Sequence, residues 1–203
     1  MESIKKLSDL FEALSSKIEL NKKRIIAVDG FMGQGKTFLG KVLASEFDCH
    51  FLDTDWFQNK ETWDNDSYIK HVTDNGIIEK LPSIITDFPS LVIAGCCVMH
   101  FLKEIPVKPD FHIYCKRKDP QGNWLPLHMN LDMSKSKEDL LNYYDESEDK
   151  LLEEKKRLGM STERMDNGFE REVLEYHGTF RPHDKADICY EWQEKYIPPL
   201  YLQ

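Results

Sequence analysis

The sequence predicts an α/β fold, a parallel sheet covered by helices on both faces, and three observations predict it. Apolar, β-branched runs alternate with helical patterns from residue 24 onward, as in repeated strand–helix–strand units. A glycine-rich loop joins the first such run to the helix after it. The 203 residues contain no internal repeat, which suits one domain over 1–203, large enough to bury a full core without disulfides or metal.

The elements follow in order. Within residues 1–22, Ile4, Leu7, Leu10, Phe11, Leu14 and Ile18 recur at three- and four-residue spacing, so an amphipathic helix packed on the domain is expected. Arg24-Ile25-Ile26-Ala27-Val28-Asp29 reads as a strand buried on both faces and closed by Gly30. A helix is expected from Lys36 to about Phe47, a second strand over Cys49 to Asp53, and a polar, helical stretch to about Thr86. Leu91 to Cys97 and Phe111 to Lys116 read as the third and fourth strands. Glu138 to Leu158 reads as a long charged helix and Ala186 to Trp192 as a fifth strand. Asp119 to Lys137, rich in Pro, Gly, Asn and Ser, reads as loop or lid, within a lid or insertion region of about 117–165.

Composition narrows the partners. With 27 Lys+Arg against 36 Asp+Glu, the net charge of −9 disfavours a surface that coats a polyanion, so no nucleic-acid partner is expected. A 40% hydrophobic fraction with 31% charged residues is ordinary for a folded chain. The longest apolar run, Leu91 to Met99, falls far short of the ~20 residues that cross a bilayer. Met1-Glu2-Ser3-Ile4-Lys5-Lys6 leads into no apolar signal region, so a cytoplasmic protein with no membrane partner is expected. Cys49, Cys96, Cys97, Cys115 and Cys189 are odd in number and lack CxxC or zinc-type spacing, so they read as reduced core residues.

Gly30-Phe31-Met32-Gly33-Gln34-Gly35-Lys36-Thr37 fits G-x-x-x-x-G-K-[ST] at every defined position, between an expected strand and an expected helix. Such a loop wraps its backbone N–H groups around phosphate oxygens, and the helix adds its positive N-terminal end. In this role Gly30 to Phe38 hold the nucleotide, Lys36 reaches the β- and γ-phosphates, and Thr37 ligates Mg²⁺. A glycine-rich turn that merely precedes a helix is the alternative. A guanine-specific N-K-x-D is absent: Asn21-Lys22 continues into Lys23-Arg24 and Asn59-Lys60 into Glu61-Thr62, which makes ATP the expected nucleotide.

With these residues the sequence resembles the uridine kinase and phosphoribulokinase family of P-loop small-molecule kinases, loosely over residues 24 to 190. Ile26-Ala27-Val28-Asp29-Gly30 is similar to the Asp-Gly lead-in to the family's phosphate loop. Leu52-Asp53-Thr54-Asp55-Trp56-Phe57 is similar to its second-strand D-x-F motif, and Thr179 to Ile188 to its final stretch running through Pro into A-D-I. The resemblance makes Asp55 the catalytic carboxylate, alongside Lys36; the chemistry agrees, since a hydroxyl must lose its proton as the phosphoryl group moves. Asp53, two residues earlier on the same strand face, is a candidate for Mg²⁺ through water and for substrate. For both aspartates a capping or turn role is the alternative. Trp63-Asp64 resembles the aromatic-Asp pair whose Asp holds ribose hydroxyls, although Asp64 or Asp66 could equally cap the following helix.

The sequence departs from the family where a Glu-Gly pair usually ends the third strand: it reads Ile93-Ala94-Gly95-Cys96, and Asp53 or Asp29 is left as the substitute acid. The interval from Asp64 to Leu91 is too short for the hairpin that grips a uracil base. The lid cations are open among Lys116, Arg117, Lys118, Lys155, Lys156, Arg157, Arg164 and Arg171, with a solvated helix end the alternative for those at 155–157. His177 and His183 read as loop residues near the nucleotide edge. The expected architecture is the three-layer P-loop NTPase fold, a five-stranded parallel sheet in the order 2-3-1-4-5 with an extra N-terminal helix. The expected function is an ATP- and Mg²⁺-dependent kinase acting on a hydroxyl of a small nucleoside-like or sugar-like metabolite. Ala94 keeps a regulatory nucleotide-binding protein as the alternative, and an NTPase driving a partner stands third.

Overall fold

The computed structural model of the chain describes residues 2–17, 24–57, 67–74, 76–88, 90–105, 107–120, 122, 124, 133, 135–160 and 168–193. Six strands, β1 (Glu2–Ile4), β2 (Arg24–Asp29), β3 (His50–Asp53), β4 (Ser90–Ala94), β5 (Phe111–Lys118) and β6 (Ile188–Gln193), form one sheet in the order β1-β6-β5-β2-β4-β3. Every pairing is parallel. The central β2 is flanked by β4 and β5, so its Ile25-to-Val28 run is apolar on both sides of the pleat.

The helices are α1 (Leu7–Ser15), α2 (Lys36–Glu46), α3 (Tyr68–Asp74), α4 (Ile77–Asp87), α5 (Val98–Glu104), α6 (Lys137–Arg157), α7 (Phe169–Phe180) and α8 (Pro182–Lys185). They divide between the two faces by strand parity. On one face Ile26, Val28, Val92, Ala94 and Ile113 pack with Leu10 and Leu14 of α1 and Leu39 and Leu43 of α2. On the other Ala27, Leu52, Leu91 and Ile93 pack with Tyr68, Leu81, Phe101, Leu140 and Val173 of α3 to α7. The result is three layers, helix–sheet–helix, matching a P-loop NTPase-like fold.

Several expectations need correction. The sheet has six strands rather than five, and its order differs because Glu2–Ile4 adds an edge strand beside β6, with Ile4 opposite Tyr190. The amphipathic helix therefore starts at Leu7, not Ile4: a β-branched residue with a sheet edge within reach is captured by ladder pairing, which outweighs the helical period. The third strand ends at Ala94, three residues early. Thr54 packs so closely on Gly95 that a Cβ there would lie 1.7 Å from its Oγ1, and the chain turns through a left-handed Cys97 into α5.

Helices α5, α7 and α8 go beyond the sequence reading, and the last two move two histidines. His177 lies in α7 and His183 in α8, both buried, rather than in loops near the nucleotide edge. The long charged helix holds as α6, capped by Ser136, whose hydroxyl accepts from the Asp139 amide at 3.1 Å; acids in its first turn and Lys155, Lys156 and Arg157 in its last suit the helix dipole. No helix among the described residues is long and apolar enough to cross a membrane. The five cysteines are unpaired, four of them buried.

Candidate functional site

The strands of an open parallel sheet deliver their loops to one edge, and here the carboxyl ends of β2, β3 and β4 meet there. The loop from Gly30 to Gly35 leaves β2 and feeds α2, whose first residue is Lys36. Gly35 stands at φ +86°, a left-handed position that turns the chain into the helix and that a side chain would strain. The amides of Lys36 and Thr37 open the helix and so have no intrahelical carbonyl to bond. They are the donors an anion would use.

Lys36 is buried and its Nζ donates to the Phe31 carbonyl at 2.7 Å, across its own loop. Burial works against its charge, but the neighbouring Cys96 sulfur and the Asp55 and Asp29 carboxylates outweigh that and hold the ammonium above its usual range. The Thr37 hydroxyl donates to Asp53 Oδ2 at 2.9 Å, a bond that engages its proton and leaves its oxygen the role of acceptor. Asp53 Oδ1 accepts the Asp55 amide at 3.0 Å, which fixes the first turn after β3. Asp55 is exposed, and with Met32, Lys36, Thr37, Trp56 and Cys96 it lines a cleft of about 750 Å³. The size, the loop amides, the cation and the Thr37–Asp53 pair fit a nucleoside triphosphate with Mg²⁺.

Two acids were open as a substitute for the one missing at Ala94, and the register separates them. Asp53 pairs with Ala94 on the neighbouring strand and shares a face with α2, so its carboxylate stands beside Thr37. Asp29 points to the opposite face. It is fully buried, takes the Gly30 amide on Oδ1 at 2.7 Å and the Tyr176 hydroxyl on Oδ2, and has His112 Nε2 3.7 Å away. Asp29 is thus part of the packing between β2 and α7.

One brace of the loop left no mark in the sequence reading. Gln34 is fully buried: its side-chain oxygen accepts from the Arg117 amide at 2.6 Å and the Trp124 ring nitrogen at 3.3 Å. Its carbonyl accepts from Trp192 Nε1 at 2.7 Å, and the Trp192 ring lies on Gly35. Only the pairing of β5 with β6 brings Arg117 and Trp192 together here, opposite each other in register. Among the candidate lid cations, Arg117 reaches the phosphate loop, with its guanidinium over the Trp192 ring and Nη1 3.5 Å from the Gly33 carbonyl. Lys116 and Lys118 pair with Glu191, Arg157 with Glu154, and Arg171 ties α7 to Asp145 of α6. Asp64 and Arg164 lie outside the described residues. His177 bonds the Tyr114 hydroxyl through Nε2 at 2.9 Å, well inside the fold.

No family model matches the chain, and no curated protein does. Among solved structures it is similar to a possible uridine kinase from Bacillus stearothermophilus, at 14% identity and a TM-score of 0.44 over 90% of this chain and 96% of that one. It is also similar to the signal recognition particle receptor FtsY from Elizabethkingia anophelis, at 11% identity and a TM-score of 0.33 over 95% of this chain and 68% of that one. Likenesses this distant carry no argument about function, which rests on the residues above.

Proposed function

We propose that the chain is an ATP- and Mg²⁺-dependent kinase that phosphorylates a hydroxyl of a small nucleoside-like or sugar-like metabolite. The observation that supports this most is a shared cleft: the phosphate loop and the strand-end carboxylate Asp55 line the same cavity. A bare nucleotide-binding module has no need of a carboxylate facing the γ-phosphate position; a kinase does, to orient the acceptor hydroxyl and take its proton. In this reading Lys36 and the loop amides bear the phosphate charge, and Thr37 ligates Mg²⁺ through its hydroxyl oxygen while Asp53 holds the Thr37 proton. Held there, Mg²⁺ would offset phosphate charge during transfer. Asp55 accepts the acceptor's proton as the new O–P bond forms and the bond to the leaving ADP oxygen breaks. Arg117 is the cation best placed to steady the loop beneath the phosphates. Asp64 is assigned to the substrate's hydroxyls and the lid cations to the charge on the transferring phosphoryl group, as the family resemblance implies.

Ala94 favours one second reading, a regulatory nucleotide-binding protein, because no acid ends β4. One variant separates the two. Asp55→Asn keeps size but loses charge and basicity, so acceptor-dependent ADP release across a panel of nucleosides, vitamins and sugars should fall roughly 10²–10⁴-fold while calorimetric ATP affinity hardly changes. Parallel loss of both, or of neither, sinks the base assignment; nucleotide binding with no turnover on any acceptor favours the regulatory protein.

A further inference from the structure

A base must aim one oxygen at the proton it removes, yet Asp55 sits exposed on a 3₁₀ turn over Thr54–Phe57, a poor mount for a precise carboxylate. The support comes from another element. Tyr68, at the start of α3, donates from its hydroxyl to Asp55 Oδ1 at 2.9 Å, and the same hydroxyl lies 3.1 Å from Thr54 Oγ1. Proton counting orders the chain: an ionised carboxylate only accepts, so the phenol proton points to Asp55 and the Thr54 hydroxyl donates to the phenol oxygen. Both supporting side chains are immobilised. Tyr68 is 1% exposed, with Phe169 and Phe101 against its ring at centroid distances of 4.6 and 6.1 Å. Thr54 is fully buried against Gly95, where no side chain would fit. Burial, reinforced by Cys96 and Asp55, pushes the phenol well above its usual range, so it stays a donor at any working pH.

We propose that Tyr68, backed by Thr54, is a positioning residue for Asp55, fixing the carboxylate's rotation. The inference rests on the kinase reading above. It also gives Gly95 a function: its missing side chain is what lets Thr54 stand behind the tyrosine.

The test is Tyr68→Phe in the full chain, which removes one oxygen and leaves the ring. Turnover at saturating ATP and acceptor should fall about tenfold, the worth of one hydrogen bond to a charged group, while nucleotide affinity does not move. In the Asp55→Asn background the same substitution should cost nothing further, because the carboxylate it positions is gone. Thr54→Val should lower turnover in the same direction by less, and Thr54→Ser should restore it; these carry the test if Tyr68→Phe does not fold. Unchanged turnover overturns the proposal, as does an equal loss with and without the Asp55 carboxylate, or loss of turnover together with nucleotide affinity. Should the parent turn over no acceptor, the kinase reading falls by itself, and the NMR three-bond couplings that report the Asp55 side-chain rotamer still decide at fixed pH: identical couplings in parent and Tyr68→Phe overturn the positioning role.

Discussion

The carboxyl ends of β2 and β3 look alike in the chain, each an apolar run closed by an aspartate, yet the fold gives them opposite environments. Asp29 closes β2 facing α7, sealed from solvent and bonded to Gly30 and Tyr176. Asp53 closes β3 facing α2, bonded to Thr37 and the Asp55 amide, two residues that line the cleft. Strand parity accounts for the difference: Asp29 shares a side of the sheet with Ala27, and Asp53 lies across the sheet from Leu52. An aspartate at the end of a parallel strand is therefore not a site by position alone; the helix covering its face decides whether it carries structure or chemistry.

The comparison breaks most visibly in stability. Asp29→Ala leaves the Gly30 amide and the Tyr176 hydroxyl buried without an acceptor, so denaturant unfolding should show a loss of about 3 kcal/mol. A loss below about 1 kcal/mol with Mg²⁺ dependence destroyed would reverse the two assignments. Asp53→Asn should do the contrary: the fold stays near its parent stability while the Mg²⁺ concentration needed for half-maximal turnover rises about tenfold, as when the outer partner of a metal ligand is changed. An unchanged Mg²⁺ requirement would remove Asp53 from the metal's surroundings.

The smallest effect sharpens the buried side of the comparison. Burial, against the pull of Asp29 and the hydrogen bond to the Val173 carbonyl, lowers the His177 imidazole from 6.5 to about 4. A depressed pKa means that the unfolded chain takes up a proton the folded one refuses, so this stability is present above 6.5 and is lost as pH falls toward 4. Asp29 acts in a lower window. Burial would raise its carboxyl, but His112, His177 and Tyr176 outweigh that and hold it below 3.8, so its share is lost only beneath that value. In His177→Gln the decline of the melting temperature between pH 6.5 and 4 should flatten relative to the parent; an identical slope would mean that His177 is not the group responsible.

Much of the site was legible because the phosphate loop is local chemistry: glycines, Lys36 and Thr37 act through adjacent backbone and one helix start, and their spacing is written in eight consecutive residues. The strands β2, β4 and the start of β5 were legible because double burial demands continuous apolar runs, while β3 and β6 rest on the shorter apolar pieces Phe51-Leu52 and Ile188-Cys189-Tyr190. The edge strand at Glu2–Ile4 was not, since three residues carry no period and only the free edge of β6 makes a strand of them. Helix α7 hid for another reason: its buried face includes Tyr176 and His177, polar residues whose burial is supported by Asp29, Tyr114 and the Val173 carbonyl, partners far along the chain or within the same turn.

By itself, then, the sequence determined the layered α/β class, the phosphate loop and the two aspartates at and just beyond the end of the second expected strand, because each depends on neighbours within a few residues. Only the tertiary structure decided which strand-end acid joins Thr37, that Gln34 is gripped by Arg117, Trp124 and Trp192, and that Tyr68 stands behind Asp55. These contacts join residues 13 to 158 positions apart, and sheet register and helix docking, not local spacing, bring them within hydrogen-bond reach.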